Sequence, residues 1–85
     1  FSLANQLRRS SKSVCANIAE GFAKQNYSAA EFARFLAIAE GSVIEVQVWL
    51  QYAYDLEYIQ RDQFLQWEDD CTAIKSMLYK LRMSL

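Results

Sequence analysis

Eighty-five residues with a net charge of −1 and a 53% hydrophobic share form at most one small domain, residues 1–85. The chain contains no His, which removes His-dependent triads and dyads and the Glu-x-x-His ligand pairs of di-iron bundles. No apolar run approaches the roughly 18 residues of a membrane span, and no signal-peptide core is present, so a cytoplasmic protein without a membrane partner is expected.

Two Trp, five Tyr and five Phe exceed what so short a chain can hide, so part of this surface is expected between chains. The absence of Pro and the presence of only two glycines, Gly21 and Gly41, predict long helices with short connections. The chain begins at Phe1 rather than at an initiator Met, so residues preceding it are expected. Cys15 and Cys71 lie 56 residues apart and match no metal or redox spacing. Both are read as small buried hydrophobes in a reducing compartment.

The first predicted helix runs from Leu3 to Ala23 with Ser2 as its N-cap. Leu3, Leu7, Val14, Ile18 and Phe22 recur at the helical period and mark its core face. Arg8, Arg9 and Lys12 fall together on the side away from that face. Ser10, Ser11, Ala16 and Ala19 are small enough to admit neighbouring helices closely.

Ser28 followed by Glu31 is a capping box that opens the second helix, and Tyr27 and Phe32 occupy the two positions of a hydrophobic staple. From there Phe32, Leu36, Ala39, Val43, Val46, Leu50 and Ala53 repeat with the alternating spacing of a bundle seam. Behind the seam, Ile38, Val48 and Tyr52 project beside Arg34, Gly41 and Glu45. A solvated helix carries mainly charges there, so Ile38, Gly41, Val48 and Tyr52 are read as a second contact surface, between subunits. Plain exposure of scattered apolar residues is the alternative.

The third helix is predicted from Arg61 to Met83, with Phe64, Trp67, Cys71, Ile74, Leu78, Leu81 and Leu85 as its seam. Glu68, Asp69 and Asp70 precede Lys75, Lys80 and Arg82, an order that suits the helix macrodipole. The short connection across residues 55–60 makes the second and third helices antiparallel neighbours. The second helix is apolar over too wide an arc for two partners. A fourth helix is therefore wanted, either before Phe1 or from another chain. The expected fold is an all-α, antiparallel up-and-down four-helix bundle with three of its helices in this chain.

Charge is segregated along the sequence. Residues 1–27 carry +3, residues 28–72 carry −7 and residues 73–85 carry +3. Segments folded against one another with these signs attract, so segregation alone does not require a ligand.

Taken together, QLRRSSKSVCANIAEGFAK (residues 6–24) and EFARFLAIAEGSVIEVQ (residues 31–47) resemble the two signature blocks of a known family. These are the four-helix bundle proteins encoded in intervening sequences of bacterial 23S rRNA genes, a group that includes the accessory variability protein of diversity-generating retroelements. Leu56, Tyr58 and Ile59 fit the turn that precedes the family's last helix. The resemblance implies a non-enzymatic protein that assembles as a cyclic homo-oligomer, typically a pentamer. For retroelement members it implies a basic surface that binds nucleic acid and a reverse transcriptase. The family helix that precedes QLRR has no counterpart here. Cys15 stands where the family has Pro, Glu57 replaces a glycine favourable to a left-handed helix ending, and the sequence pI of about 5.3 is acidic.

No catalytic site, metal site or cofactor is expected. Glu20, Glu40 and Glu45 could in principle gather as carboxylates, and Glu20 has Lys24 four residues on as a helical ion-pair partner. Asn17, Glu20, Arg34 and Glu45 match the family's polar positions and are read as a network that fixes helix register and subunit orientation, since paired buried polar groups serve specificity. Arg8, Arg9 and Lys12 are the candidate phosphate contacts for RNA or DNA. Their alternative use is pairing with the acids of residues 28–72. Two functions follow: a nucleic-acid-associated oligomer, or a protein-only scaffold using Trp49, Tyr52, Tyr54 and Tyr58.

Overall fold

A computed structural model describes residues 2–85 of the chain. It contains three helices, α1 (Leu3–Ala23), α2 (Ala29–Asp55) and α3 (Arg61–Met83), and no strand among the described residues. The outer helices begin and end where the apolar periodicity places them.

Side chains that close orphan amides set two of the helix starts. Ser2 Oγ accepts from the Asn5 amide at 3.1 Å, and Ser28 Oγ accepts from the Glu31 amide at 3.1 Å. Only this half of the expected capping box forms, because the Glu31 carboxylate accepts from the Arg34 guanidinium at 3.0 Å instead. The expected staple is also replaced. Tyr27 is 72% exposed with the Lys24 ammonium over its ring, and Phe32 finds its aromatic partner in Phe22, 5.0 Å between centroids. The end of α1 fills the space a staple residue would take.

α2 ends in a Schellman motif. The Tyr58 amide donates to the Ala53 carbonyl at 2.8 Å and the Glu57 amide to the Tyr54 carbonyl at 3.0 Å. Glu57 holds the left-handed position itself, with φ 63°, so the ending survives without the glycine that would relieve it.

Phe32, Leu36, Ala39, Val43, Leu50, Cys71 and Leu78 form the buried core. The α2 seam is thus where its spacing put it. α1 departs from expectation. Its buried residues are Ser10 and Gly21, whereas Leu7, Val14 and Ile18 are only partly covered. Gly21 explains part of this, because a Cβ there would lie 3.1 Å from Phe32 Cδ1. The contact of α1 with α2 thus mixes small and polar residues with partly covered apolar ones, of which Leu7 and Val14 also edge a space beyond.

That space is the main feature of the architecture. α2 packs against both α1 and α3, but no Cα of α1 comes within 8 Å of one in α3. The Cα atoms occupy a slab of 46 × 25 × 12 Å, little more than one helix thick. The result is a shallow trough, with α1 and α3 as banks and Val43, Val46 and Leu50 on its floor.

Candidate subunit and nucleic-acid surfaces

The α1–α2 contact is held by a ladder of polar groups. Ser10 Oγ donates to the Glu45 carboxylate at 3.0 Å, and Ser13 and Ser42 share a hydroxyl–hydroxyl bond of 2.7 Å. Asn17 Nδ2 donates to the Ser13 carbonyl at 2.8 Å and to its hydroxyl at 3.1 Å. Trp49 Nε1 approaches the same Glu45 oxygen at 3.4 Å, a long bond. Each rung satisfies groups whose burial alone would cost stability. Of these serines only Ser10 was legible in the sequence, as a small residue and not as a rung, because the ladder's partners lie on the other helix.

The four expected register residues do not form one network within the chain. Asn17 and Glu45 join the ladder through serines. Arg34 pairs with Glu31 on its own helix at 3.0 Å and lies over Phe35, 4.5 Å from the ring centroid. Glu20 is exposed and makes no side-chain hydrogen bond or ion pair among the described residues, so the Glu20–Lys24 pair is not formed.

The outer face of α2 lies opposite the seam. Ile38 is 40% exposed, Val48 46% and Tyr52 53%, and a Cβ at Gly41 would meet nothing within 4 Å. Ile44 adds another exposed apolar side chain to this helix. The four aromatics proposed for partner contact separate into two groups. Tyr52 and Tyr58 are exposed, whereas Trp49 is half-buried, with Tyr52 5.8 Å away, and Tyr54 stacks on Phe64 of α3 at 4.7 Å. Tyr54 is therefore committed to the α2–α3 contact.

Arg8, Arg9 and Lys12 are exposed along α1. The Arg8 guanidinium donates to Asn5 Oδ1 at 2.7 Å. Among the described residues none of the three meets a carboxylate; the two ion pairs are Arg34–Glu31 and Arg82–Glu40. The latter is bidentate, at 2.6 and 3.2 Å, and it fastens the end of α3 to the middle of α2. This hydrogen bond raises the Arg82 pKa further above its ordinary value. The sequence reading grouped Glu40 with Glu20 and Glu45, gave Arg82 to the helix macrodipole, and missed the pair, which spans 42 residues.

Cys15 and Cys71 line the same cavity of about 210 Å³ in the trough, with Ser11, Val14, Val43, Val46 and Ile74. Cys71 is buried as expected; Cys15 is exposed, contrary to expectation. Burial first, then the charges of Glu68 and Asp70, push the Cys71 thiol pKa up and keep it protonated. No group of three or more potential metal ligands occurs among the described residues. Nor is any described helix long and apolar enough to cross a membrane.

Residues 1–80 match the family model described as the 23S rRNA-intervening sequence protein. The chain is also similar to a crystal structure from Bacteroides thetaiotaomicron, a protein of unknown function from the S23 ribosomal protein family. The two are 34% identical with a TM-score of 0.88, over 98% of this chain and 72% of the other. No curated protein matches the chain.

Proposed function

The chain belongs to the 23S rRNA-intervening sequence protein family, and from that premise we propose that it is a non-enzymatic, cytoplasmic assembly protein. Its copies form a cyclic homo-oligomer, a pentamer by the family resemblance. Each subunit is an antiparallel up-and-down four-helix bundle whose fourth helix lies in the trough between α1 and α3. The observation that carries this reading is the outer face of α2, where Ile38, Val48 and Tyr52 stand exposed around a glycine with open space above it. Apolar groups clustered on one helix face gain by burial against another chain. Light scattering tests the assembly. A mass near five times the 9.9 kDa chain is expected, and Val48→Glu reduces it without unfolding the helices. A wild-type protein that stays monomeric at high micromolar concentration overturns the reading.

A second reading adds nucleic acid to this assembly, and it is favoured by the exposed α1 cations, which form no ion pair among the described residues. Repetition of Arg8, Arg9 and Lys12 around a ring multiplies contacts that are weak singly. Fluorescence polarisation with labelled RNA measures it. Binding at about 50 mM salt that collapses by about 200 mM is expected, and Arg9→Ala with Lys12→Ala abolishes it. No binding at the lower salt leaves the protein-only scaffold.

A further inference from the structure

Four exposed charges on α1 and α2, away from the trough, form a pattern that the chain does not use internally. Arg9 and Glu20 of α1 are eleven residues apart, as are Arg34 and Glu45 of α2. Eleven residues make three turns to within about 20°, roughly 16 Å along the axis. Each helix therefore carries a cation and, three turns on, an acid along one stripe. On α1 that stripe projects about 120–180° from Ser11 and Cys15, which line the trough. The two stripes run in opposite directions at matched heights. Ser10, beside Arg9, bonds to Glu45 itself, and Gly21, beside Glu20, packs on Phe32 and Phe35, on either side of Arg34 in the sequence. A cation is thus level with an acid at both ends.

Neither pair closes within the chain, where the two ion pairs among the described residues are Arg34–Glu31 and Arg82–Glu40. All four groups keep bonding capacity. Glu45 accepts from Ser10 and Trp49 through Oε1 alone, which leaves Oε2. Arg34 holds Glu31 through Nε and Nη2, which leaves Nη1.

We infer that this face binds a second copy of the chain, turned about an axis parallel to the helices, with Arg9 and Glu20 of one copy against Glu45 and Arg34 of the other. The inference rests on the assembly reading above and adds the contacting face and its register. The complement that each stripe needs, the same spacing with opposite signs, is the other stripe of the same chain. That match singles out a second copy as the occupant. Rotation about such an axis leaves every residue at its own height, so charges level within one chain meet between two. Ala16 is exposed about 20° from Arg9 and, three residues past the Ser13–Ser42 bond, stands level with Ile38 and near Gly41. Alanine against glycine lets the helices approach closely, and Ile38 adds apolar area. The charges supply orientation. A copy docked upside down sets Arg9 against Arg34 and Glu20 against Glu45, and a shift of one turn loses both pairs. Charges placed like this select an arrangement more than they strengthen it. Arg8 and Lys12 take no part in the contact.

Light scattering over a dilution series at about 50 mM salt tests this on the full chain. Arg9→Glu and Glu45→Arg are each expected to raise the midpoint concentration of assembly about tenfold, because like charges then oppose one another. An equimolar mixture of the two variants is expected to recover the parent midpoint to within about threefold, since each supplies the charge the other lacks. At about 0.5 M salt the difference between parent and variants disappears. Glu20→Arg and Arg34→Glu repeat the test at the other end, where the Ser10–Glu45 bond is untouched, and circular dichroism verifies the helices throughout. Single variants that assemble as the parent does overturn the inference and leave the assembly reading standing. Recovery in the double variant Arg9→Glu/Glu45→Arg but not in the mixture places the pair within one chain and also overturns it. A parent chain that stays monomeric removes the assembly reading and this inference together.

Discussion

Two glycines on facing helices divide the molecule into a part whose packing is complete and a part whose packing is not. Gly21 lies where α1 and α2 meet most closely: a Cβ there would be 3.1 Å from Phe32 Cδ1 and 3.3 Å from Phe35 Cβ. Gly41, five residues beyond Leu36 toward the middle of α2, would place its Cβ in open space. A helix-interior glycine costs about 1 kcal/mol relative to Ala, so each one calls for a compensating gain. At Gly21 the gain is inside the chain, in the approach that seats Phe32 under Phe22. At Gly41 nothing inside the chain supplies it. The same residue type therefore stands at a close helix contact on one side of α2 and in open space on the other.

The largest expected effect is at the finished contact. Gly21→Val forces branched atoms into Phe32 and Phe35 and lowers unfolding stability by about 1–3 kcal/mol, as overpacking does. Urea denaturation measures it, and a neutral result would mean that the helix ends separate at no cost. Gly41→Ala acts in the opposite direction on dilute monomer, raising its stability by about 1 kcal/mol through helix propensity. Gly41→Leu leaves the monomer folded and lowers the oligomer mass in light scattering. An oligomer indifferent to Leu at this position breaks the comparison, because Gly41 would then have no function in either region.

Glu57→Gly sharpens the contrast at a third place. The chain holds a glutamate at φ 63°, and a left-handed non-glycine residue is strained. Glycine there is expected to raise the unfolding free energy by about 0.5–1 kcal/mol. Glu45→Gln tests the ladder between the two regions. It preserves the shape of the acceptor for Ser10 and weakens a charge-assisted bond, so a loss of about 0.5–1 kcal/mol is expected. Stability and oligomer mass both unchanged would remove Glu45 from any register role.

Those four sites also show how far the sequence was legible. The seam from Phe32 to Ala53 and the ends of α1 and α3 follow from periodicity and capping, which are local properties of the chain. The outer face of α2 was visible too, since projection alone puts Ile38, Val48 and Tyr52 behind the seam. The α1 face was legible only in part, because hydrophobicity identifies residues that leave water, not how fully each is covered. Leu7, Val14 and Ile18 pack against the core but stay partly covered, and the buried positions of α1 are Ser10 and Gly21. Pairs formed over a long separation, such as Glu40 with Arg82, carry no signature in a single sequence.

The smallest expected effect contrasts the two thiols at the trough. Cys15 is exposed, whereas Cys71 is buried and its pKa is raised, by burial first and then by Glu68 and Asp70. A thiol reagent at neutral pH should therefore label Cys15 quickly and Cys71 only as the chain opens. The same shift links Cys71 to pH. Because its folded pKa lies above the unfolded value, about 8.5, the protonated thiol contributes stability fully below that pH. That contribution is lost as pH rises toward the folded value, since only the unfolded chain releases the proton in between. Urea midpoints at pH 7 and in mildly alkaline buffer should fall less in Cys71→Ala than in the parent chain. An equal fall in both would place the proton loss elsewhere.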